Sequence, residues 1–496
     1  MNSSIMKKLV CAITLLLTCI GAFAQERPKL VVGIIVDQMR WDYLYRYYEE
    51  YGQGGFKRMM NEGFNCENCM INYVPSITAV GHTSIFTGSV PSIHGIAGNH
   101  FMQDGKTVYC AADPTVQTVG STTDAGKMSP RNMLVTTIGD ELKTATLWKS
   151  KVIGVSFKDR AAIMPAGHSA DAAYWFDKKA LRFISSTYYM QRLPEWVNQY
   201  NKTVKKLPLD EIQYSYYGNE IVAGMAKAAI ENEDLGQNGI TDMLTVSFSC
   251  PDIVGHKYGT HHEKTRQQYV DIDRQLEDFF LFLDKKVGKG NYLVFLAADH
   301  GAANSISQNL EHKIPSGGFF VKKEEQALND HLSKTFGTAE KLSLGIMDYK
   351  VVLNREAIAK SGTKETKVRK AVVEYFRKNK AVAYCVDLER VNEASIPSVI
   401  REKIVNGYHR ERSGDIQIVL KPAHYDVWGE IDGGTSHGVW NPYDCHIPFM
   451  LMGWGIAHGS TQAACSITDI ATTVCALIHV QMSNGCIGTP VVQVTK

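Results

Sequence analysis

Runs of apolar residues set the frame of this chain. Leu30 to Val36 reads LVVGIIV, Met243 to Phe248 reads MLTVSF, and Tyr292 to Ala298 reads YLVFLAA. Unbroken aliphatic and β-branched runs of this length predict strands buried on both faces. Between them the period changes. From Lys264 to Asp284, residues Tyr269, Ile272, Leu276, Phe279 and Phe280 recur at helical spacing, which predicts a helix with one apolar stripe. Val152 to Phe157 and Pro448 to Met452 read as further strand segments. Strands alternating with helices predict an α/β fold with a mostly parallel central sheet and helices on both faces. In such sheets ligands bind at the carboxyl ends of the strands.

The three long runs lead to potential metal ligands. Asp37 follows the first, Asp252 lies just beyond the second, and Asp299-His300-Gly301 ends the third. The three aspartates are therefore expected at one sheet edge. The stretch from about 302 to 433 breaks the pattern. It is richer in Lys and Glu, and its helix and strand signals are short, as in Glu365 to Lys378 and Asp415 to Leu420. It is expected to form a cap subdomain inserted in one catalytic domain spanning 25–496. No internal repeat or low-complexity linker divides the chain.

Composition adds little to this picture, but the N-terminus adds more. The chain has 496 residues, 44% hydrophobic and 21% charged, with a formal charge of +2. That near-neutral balance argues against a nucleic-acid-binding surface. Met6-Lys7-Lys8, the apolar run Leu9 to Ile20 and Ala22-Phe23-Ala24 have the layout of a secretory signal peptide over 1–24. The run is shorter than the roughly 20 residues a spanning helix needs. The mature chain is thus expected to be exported, periplasmic or secreted, with no membrane association after cleavage. Of eleven cysteines, two fall in this leader. Cys66 and Cys69 form a C-x-x-C pair without the second pair of a zinc ribbon, and read as a local disulfide or a buried thiol pair. Disulfide pattern and oligomeric state cannot be read from the sequence.

Six potential N/O ligands occur in order: Asp37, Asp252, His256, Asp299, His300 and His437. Zinc accepts carboxylate oxygen and imidazole nitrogen, and two such ions about 4 Å apart form the clamp used for in-line phosphoryl displacement. An isolated D-x-x-x-H such as Asp252/His256 is commonly a solvated pair, so the joint order carries the signal. In Val74 to His100, Pro75 and Ser76 precede a helix start at Thr78. A hydroxyl there faces unpaired N–H groups and the positive end of the dipole, which suits a phosphate. Thr78 is a candidate nucleophile if a metal activates it; alternatively Thr78 and Ser76 cap the helix. Ser76, Thr83 and Ser84 are rival hydroxyls. Lys158 and Arg160 flank Asp159 at the end of the Val152 run, and can point a point charge and a planar fork at one anion or form a solvated loop. His94, His168, His261 and His262 are set aside because the six ligands already fill two sites.

The order Asp, Thr in T-A-x-G-H, Asp-x-x-x-His, Asp-His-Gly and His-Gly resembles the alkaline phosphatase superfamily, over nearly the whole mature chain. It is most similar to the zinc-dependent, phosphate-irrepressible enzymes of Bacteroidetes that use Thr. The resemblance implies two zinc ions. Asp252, His256 and His437 would hold the ion facing the leaving group. Asp37, Asp299 and His300 would hold the ion that contacts Thr78. It further implies that Asn99, Lys158 and Arg160 bind phosphoryl oxygens, and that small phosphate monoesters are hydrolysed through a phosphothreonine intermediate. The phosphodiesterase and nucleotide pyrophosphatase branch typically lacks the Lys-x-Arg pair and stands as the main alternative. A non-catalytic exported zinc- or phosphate-binding protein is a remoter one. A sulfatase lacks support because no Cys or Ser followed by x-Pro-x-Arg is present, and export argues against a phosphomutase.

Overall fold

A computed structural model describes residues 27–103, 105–431 and 433–495. The expected leader over 1–24 lies outside the described residues. Five parallel strands form the centre: β1 (Leu30–Val36), β2 (Val152–Ser156), β3 (Ala172–Asp177), β4 (Asp242–Phe248) and β5 (Tyr292–Ala297), in the spatial order β5-β1-β4-β2-β3. Every residue of β1, β4 and β5 is buried, so both faces of the sheet centre are covered, as their unbroken apolar runs require.

The flanks depart from a parallel sheet. Phe449–Gly453 runs antiparallel to β5, and Arg182–Ser186 antiparallel to β3. The first reversal has a simple cause. The chain comes back to the sheet from the ligand edge, where the Gly301 N–H donates to the Asp444 carbonyl at 2.8 Å, so the next strand must run the opposite way. With these flanks the sheet has ten strands.

Three helices set the site. Helix α1 (Thr78–Thr87) is wholly buried, α2 (Asp159–Ala166) follows β2, and α3 (Cys250–Tyr258) follows β4. Helix α1 passes so close to the end of β5 that a Cβ on Gly81 would lie 2.2 Å from the Asp299 carbonyl oxygen. Only glycine permits that approach. The amphipathic stretch predicted from Lys264 forms the helix Glu263–Leu283.

A second, antiparallel sheet lies within the stretch 302–433. Its strands are ordered Ser343–Met347, Lys350–Leu353, Ile416–Leu420 and Val382–Asp387. It has its own apolar cluster, which includes Leu328, Leu332, Val351, Val372, Phe376 and Ile418. The two-residue turn between its first strands, Asp348-Tyr349, has φ of 47° and 61°, the left-handed pair that matches the twist of a tight hairpin. Among the described residues no helix is long and apolar enough to cross a membrane.

Candidate active site

The carboxyl ends of β1, β4 and β5 supply five of the six expected ligands, and His437 joins them from the loop between His424–Val427 and Pro442–Cys445. Asp37 follows β1, and its N–H donates to the Phe248 carbonyl at 3.0 Å. Asp252 sits in the first turn of α3 with His256 one turn later on the same face. The His256 Nε2 lies 3.2 Å and the His437 Nε2 3.6 Å from Asp252 Oδ1. Ligand atoms of Asp252, His256 and His437 fall within 4.8 Å of one another, as do those of Asp37, Asp252 and His300. The two groups share Asp252, so two metal positions would be neighbours.

The imidazoles are set in one manner. The Nδ1 of His256 faces the Thr435 carbonyl at 3.0 Å, that of His300 the Gly301 carbonyl at 2.9 Å, and that of His437 the Ser76 carbonyl at 2.8 Å. A carbonyl can only accept, so each Nδ1 donates and each Nε2 keeps its lone pair. Fixing the tautomer in this way is how proteins orient metal-binding histidines. The rings of His300 and His437 stack at 3.6 Å.

The carboxylates also fit a cation. Asp37 Oδ1 is buried without a hydrogen-bond partner, and the buried Asp299 Oδ2 meets only His82 Nδ1, at 3.1 Å. The two oxygens lie 3.6 and 3.5 Å from His300 Nε2. Burial, then the charge of Asp299, pushes Asp37 well above the usual carboxylate range. Buried like charges are costly unless a cation lies between them. Burial alone would raise Asp252, but His256 and Lys158 pull it well below its ordinary value. The donor set of nitrogen and carboxylate oxygen suits a divalent transition ion.

Four hydroxyls compete for the nucleophile's place, and their neighbours separate them. Ser76 Oγ donates to the Val439 carbonyl at 2.8 Å, Thr83 Oγ1 to the Ala79 carbonyl at 2.7 Å, and Ser84 Oγ meets His94 Nε2 at 3.1 Å. Thr78 Oγ1 instead lies 3.5 Å from His300 Nε2, at the first position of α1. The residue at the cap position is Ile77, not Thr78, and no side-chain bond caps the helix. Asn99 Oδ1 accepts the Ala79 N–H at 3.0 Å, which leaves the Asn99 amide free to donate beside Thr78.

Lys158 and Arg160 occupy different surroundings. Lys158 Nζ bridges the two metal groups, 2.6 Å from Asp37 Oδ2 and 2.6 Å from Asp252 Oδ2. Arg160 Nη1 donates to the Tyr109 hydroxyl at 3.2 Å, and that hydroxyl donates to Asp159 Oδ1 at 2.5 Å. Arg160 Nε is buried without a partner. Neither cation is the solvated loop residue that a Lys-x-Arg pair often is.

Several residues around the ligands escape a reading by sequence. Gln38 Nε2 donates to Asp252 Oδ1 at 2.7 Å, and the Gln38 N–H to Asp299 Oδ1 at 3.1 Å. Its φ of 65° is an uncommon conformation that aims both donors inward. His82, fully buried, places Nδ1 3.1 Å from Asp299 Oδ2 and Nε2 2.8 Å from Ser247 Oγ. Its place one helical turn after Thr78 was the available signal. The histidines set aside lie elsewhere. His94 is fully buried, His168 donates its N–H to Asp140, His261 meets Thr260 Oγ1, and His262 caps the helix that begins at Glu263. All nine cysteines among the described residues are free thiols; Cys66 and Cys69 are buried, and Cys465 pairs in register with Cys69.

Beyond His256 and His437 opens a cavity of about 480 Å³. The second sheet and the loop after it wall it with Ile346, Asp348, Tyr349, Asp426, Trp428 and Ile431. One end of the site thus carries Lys158 and Arg160, and the other faces an open chamber.

Comparisons with known proteins agree with this geometry. The model of the family described as type I phosphodiesterase / nucleotide pyrophosphatase matches residues 31–440. The chain is 44% identical to alkaline phosphatase PafA of Elizabethkingia meningoseptica, over 95% of each chain. It is 43% identical to a protein of Myroides odoratus named calcium-transporting ATPase, over 94% of each. It is 41% identical to alkaline phosphatase PhoV of Synechococcus elongatus, over 99% of this chain and 100% of the relative. The crystal structure of wild type PafA superposes with a TM-score of 0.92, covering 95% of this chain and 100% of that one. Matched along nearly its whole length in both sequence and fold, with phosphatases among its relatives and a metal-ligand edge of this kind, the chain belongs to the alkaline phosphatase superfamily.

Proposed function

We propose that this protein is an exported alkaline phosphatase that hydrolyses phosphate monoesters through a phosphothreonine on Thr78, with two zinc ions. The observation that carries the reading is Thr78 at the start of α1, 3.5 Å from His300 Nε2, with Lys158 and Arg160 entering from the end of β2. Asp252, His256 and His437 would hold one ion, and Asp37, Asp299 and His300 the other. Bound ions would lower the pKa of the threonine hydroxyl and of water and take up charge on the leaving oxygen.

The chain's own residues supply the rest. Thr78 Oγ1, its proton given up to solvent water, attacks phosphorus, the ester P–O bond breaks, and the leaving oxygen takes a proton from water and departs as the alcohol toward the chamber beside His437. Water then cleaves the phosphothreonine, returning the hydroxyl and releasing phosphate. Asn99, Lys158 and Arg160 neutralise the equatorial oxygens, where charge lies in a loose transition state. A monoester dianion gains most from those cations, whereas a diester brings one charge and a second substituent to the same space. The stretch 302–433 acts as a cap that shapes the alcohol's side of the site.

Hydrolysis of diesters is the second reading. The description of the matched family model and the size of the chamber favour it. The test is kcat/KM of the zinc-loaded mature protein on an aryl phosphate monoester and the matching diester. A strong monoester preference supports the proposal; a diester preference moves the protein to the other branch.

A further inference from the structure

The two ends of the site differ in charge. The cations Lys158 and Arg160 lie where the phosphoryl group would be held. Among the described residues, the chamber beyond His256 and His437 is lined by three carboxylates, Asp348, Asp426 and Glu430, and by no lysine or arginine. In the proposed mechanism the leaving oxygen lies on the His256/His437 side, so the departing alcohol would occupy that chamber.

The carboxylates are not equivalent. Asp426 Oδ1 accepts from Tyr349 Oη at 2.7 Å and from Ser436 Oγ at 2.6 Å, while Oδ2 accepts from Trp428 Nε1 at 2.7 Å. Its role is to hold the Trp428 indole at the rim, although that side chain is 61% exposed. Asp348 is on the hairpin turn, pressed against Gly98, where a Cβ would meet its Oδ2 at 2.2 Å. Asp348 thus closes the chamber directly beside Asn99. Burial pushes Asp348 up to about 7, with Lys350 opposing and Asp426 adding to the shift, so it is charged at alkaline pH. Glu430 is exposed at the rim. Ile431, 43% exposed, and the more buried Ile77 and Ile346 supply apolar wall. A tethered indole face among carboxylates is the arrangement that receives an ammonium group.

We infer that Asp348, Glu430 and Trp428 select substrates by the charge of the alcohol, favouring phosphate esters of ammonium-bearing alcohols and rejecting those whose alcohol carries a second anion. This rests on the proposed phosphatase activity and names its substrate class. The cations at the phosphoryl end bind every ester alike, so discrimination falls to the alcohol's end. One unit charge a few ångströms from these carboxylates in a partly solvated chamber changes kcat/KM by about tenfold.

The test uses the zinc-loaded mature protein and three esters: phosphocholine, glycerol 2-phosphate and 3-phosphoglycerate. Phosphate release gives kcat/KM for each in the wild type and in Trp428→Ala, Glu430→Gln and Asp348→Asn. Comparing each ester across proteins cancels its intrinsic reactivity. Trp428→Ala and Glu430→Gln alter exposed side chains, so they remain informative if Asp348→Asn misfolds. The expected result is that the phosphocholine to 3-phosphoglycerate ratio falls about tenfold in Asp348→Asn and in Trp428→Ala, mainly through KM, with glycerol 2-phosphate little changed. Ratios that stay at the wild-type value in all three variants overturn the inference and leave the phosphatase reading intact. No phosphate from any ester in the wild type overturns the phosphatase reading, and this inference with it.

Discussion

The central sheet and the second sheet meet the site in different ways. Each residue of β1, β4 and β5 is buried, and the side chains at their ends are fixed by backbone carbonyls and by one another. In the second sheet the middle strands Lys350–Leu353 and Ile416–Leu420 are buried as well, but the outer strand Ser343–Met347 mixes buried, half-buried and exposed positions. What this sheet offers to the site comes from a hairpin turn and from the loop beyond its last strand. Rigid strand ends hold the groups that need accurate geometry, and turns and loops carry the groups that meet a variable substituent. Under the proposed function chemistry belongs to the first region and selection to the second, and that division can be broken experimentally.

The largest effect is expected in the first region. Thr78→Ala removes the proposed nucleophile and should lower kcat on an aryl phosphate by about a thousandfold or more. Metal content, measured by elemental analysis, should hold, because the imidazoles and carboxylates keep their own anchors. Near-wild-type turnover in this variant would place the nucleophile elsewhere. Chelation comes next. With the ions stripped, Asp37, Asp252 and Asp299 remain buried beside one another, so activity should vanish and the melting temperature should fall by about 10 °C. Zinc should restore both. Restoration by magnesium but not by zinc would reject zinc as the metal.

A smaller and more selective effect is expected from the cations. Lys158→Ala and Arg160→Ala should each cut monoester kcat/KM by about a hundredfold and diester kcat/KM by less than about tenfold. Equal losses on both esters would remove the reason for placing this chain with monoesterases. Lys158 is the more demanding case. Its ammonium lies 2.6 Å from a carboxylate of each metal group, so its removal should also change metal affinity, whereas Arg160→Ala should not.

The same division explains what could be read from the sequence. Asp37, Asp252, Asp299 and His300 stood next to apolar runs, and a strand buried on both faces leaves a clear trace. β1 matched its predicted bounds, and the Glu263–Leu283 helix began one residue early. Gln38 left no such trace, since its contribution depends on a left-handed backbone that no side-chain pattern encodes. His82 was visible only as the residue one turn after Thr78. The antiparallel return strand was read as a strand but not as a reversal, because direction is a property of the connection and not of the apolar run. Asp348 comes from a hairpin turn, Asp426 from the short strand His424–Val427 and Trp428 from the residue after it, and only the fold brings them together.

The smallest expected effect tests the seam between the two regions. His94 is fully buried beside α1. The Ile96 N–H donates to its Nδ1 at 3.1 Å, so Nε2 carries the proton and faces Ser84 Oγ. From the other region, Arg412 donates to the carbonyls of Gly95 at 2.7 Å and Asn132 at 2.5 Å. Burial, then the charges of His409 and Arg412, depress His94 from 6.5 to about 3. The unfolded chain takes up a proton below pH 6.5 that the folded chain refuses until about pH 3. The neutral histidine's contribution to stability is therefore complete above pH 6.5 and is lost as pH falls through that window. His94→Asn should be less stable than the wild type at neutral pH, yet the gap should narrow on acidification, by roughly 5 °C in melting temperature between about pH 6.5 and pH 4. A constant gap across that range would mean that His94 titrates normally, and that the contact made by Arg412 does not bear on the core beside the nucleophile helix.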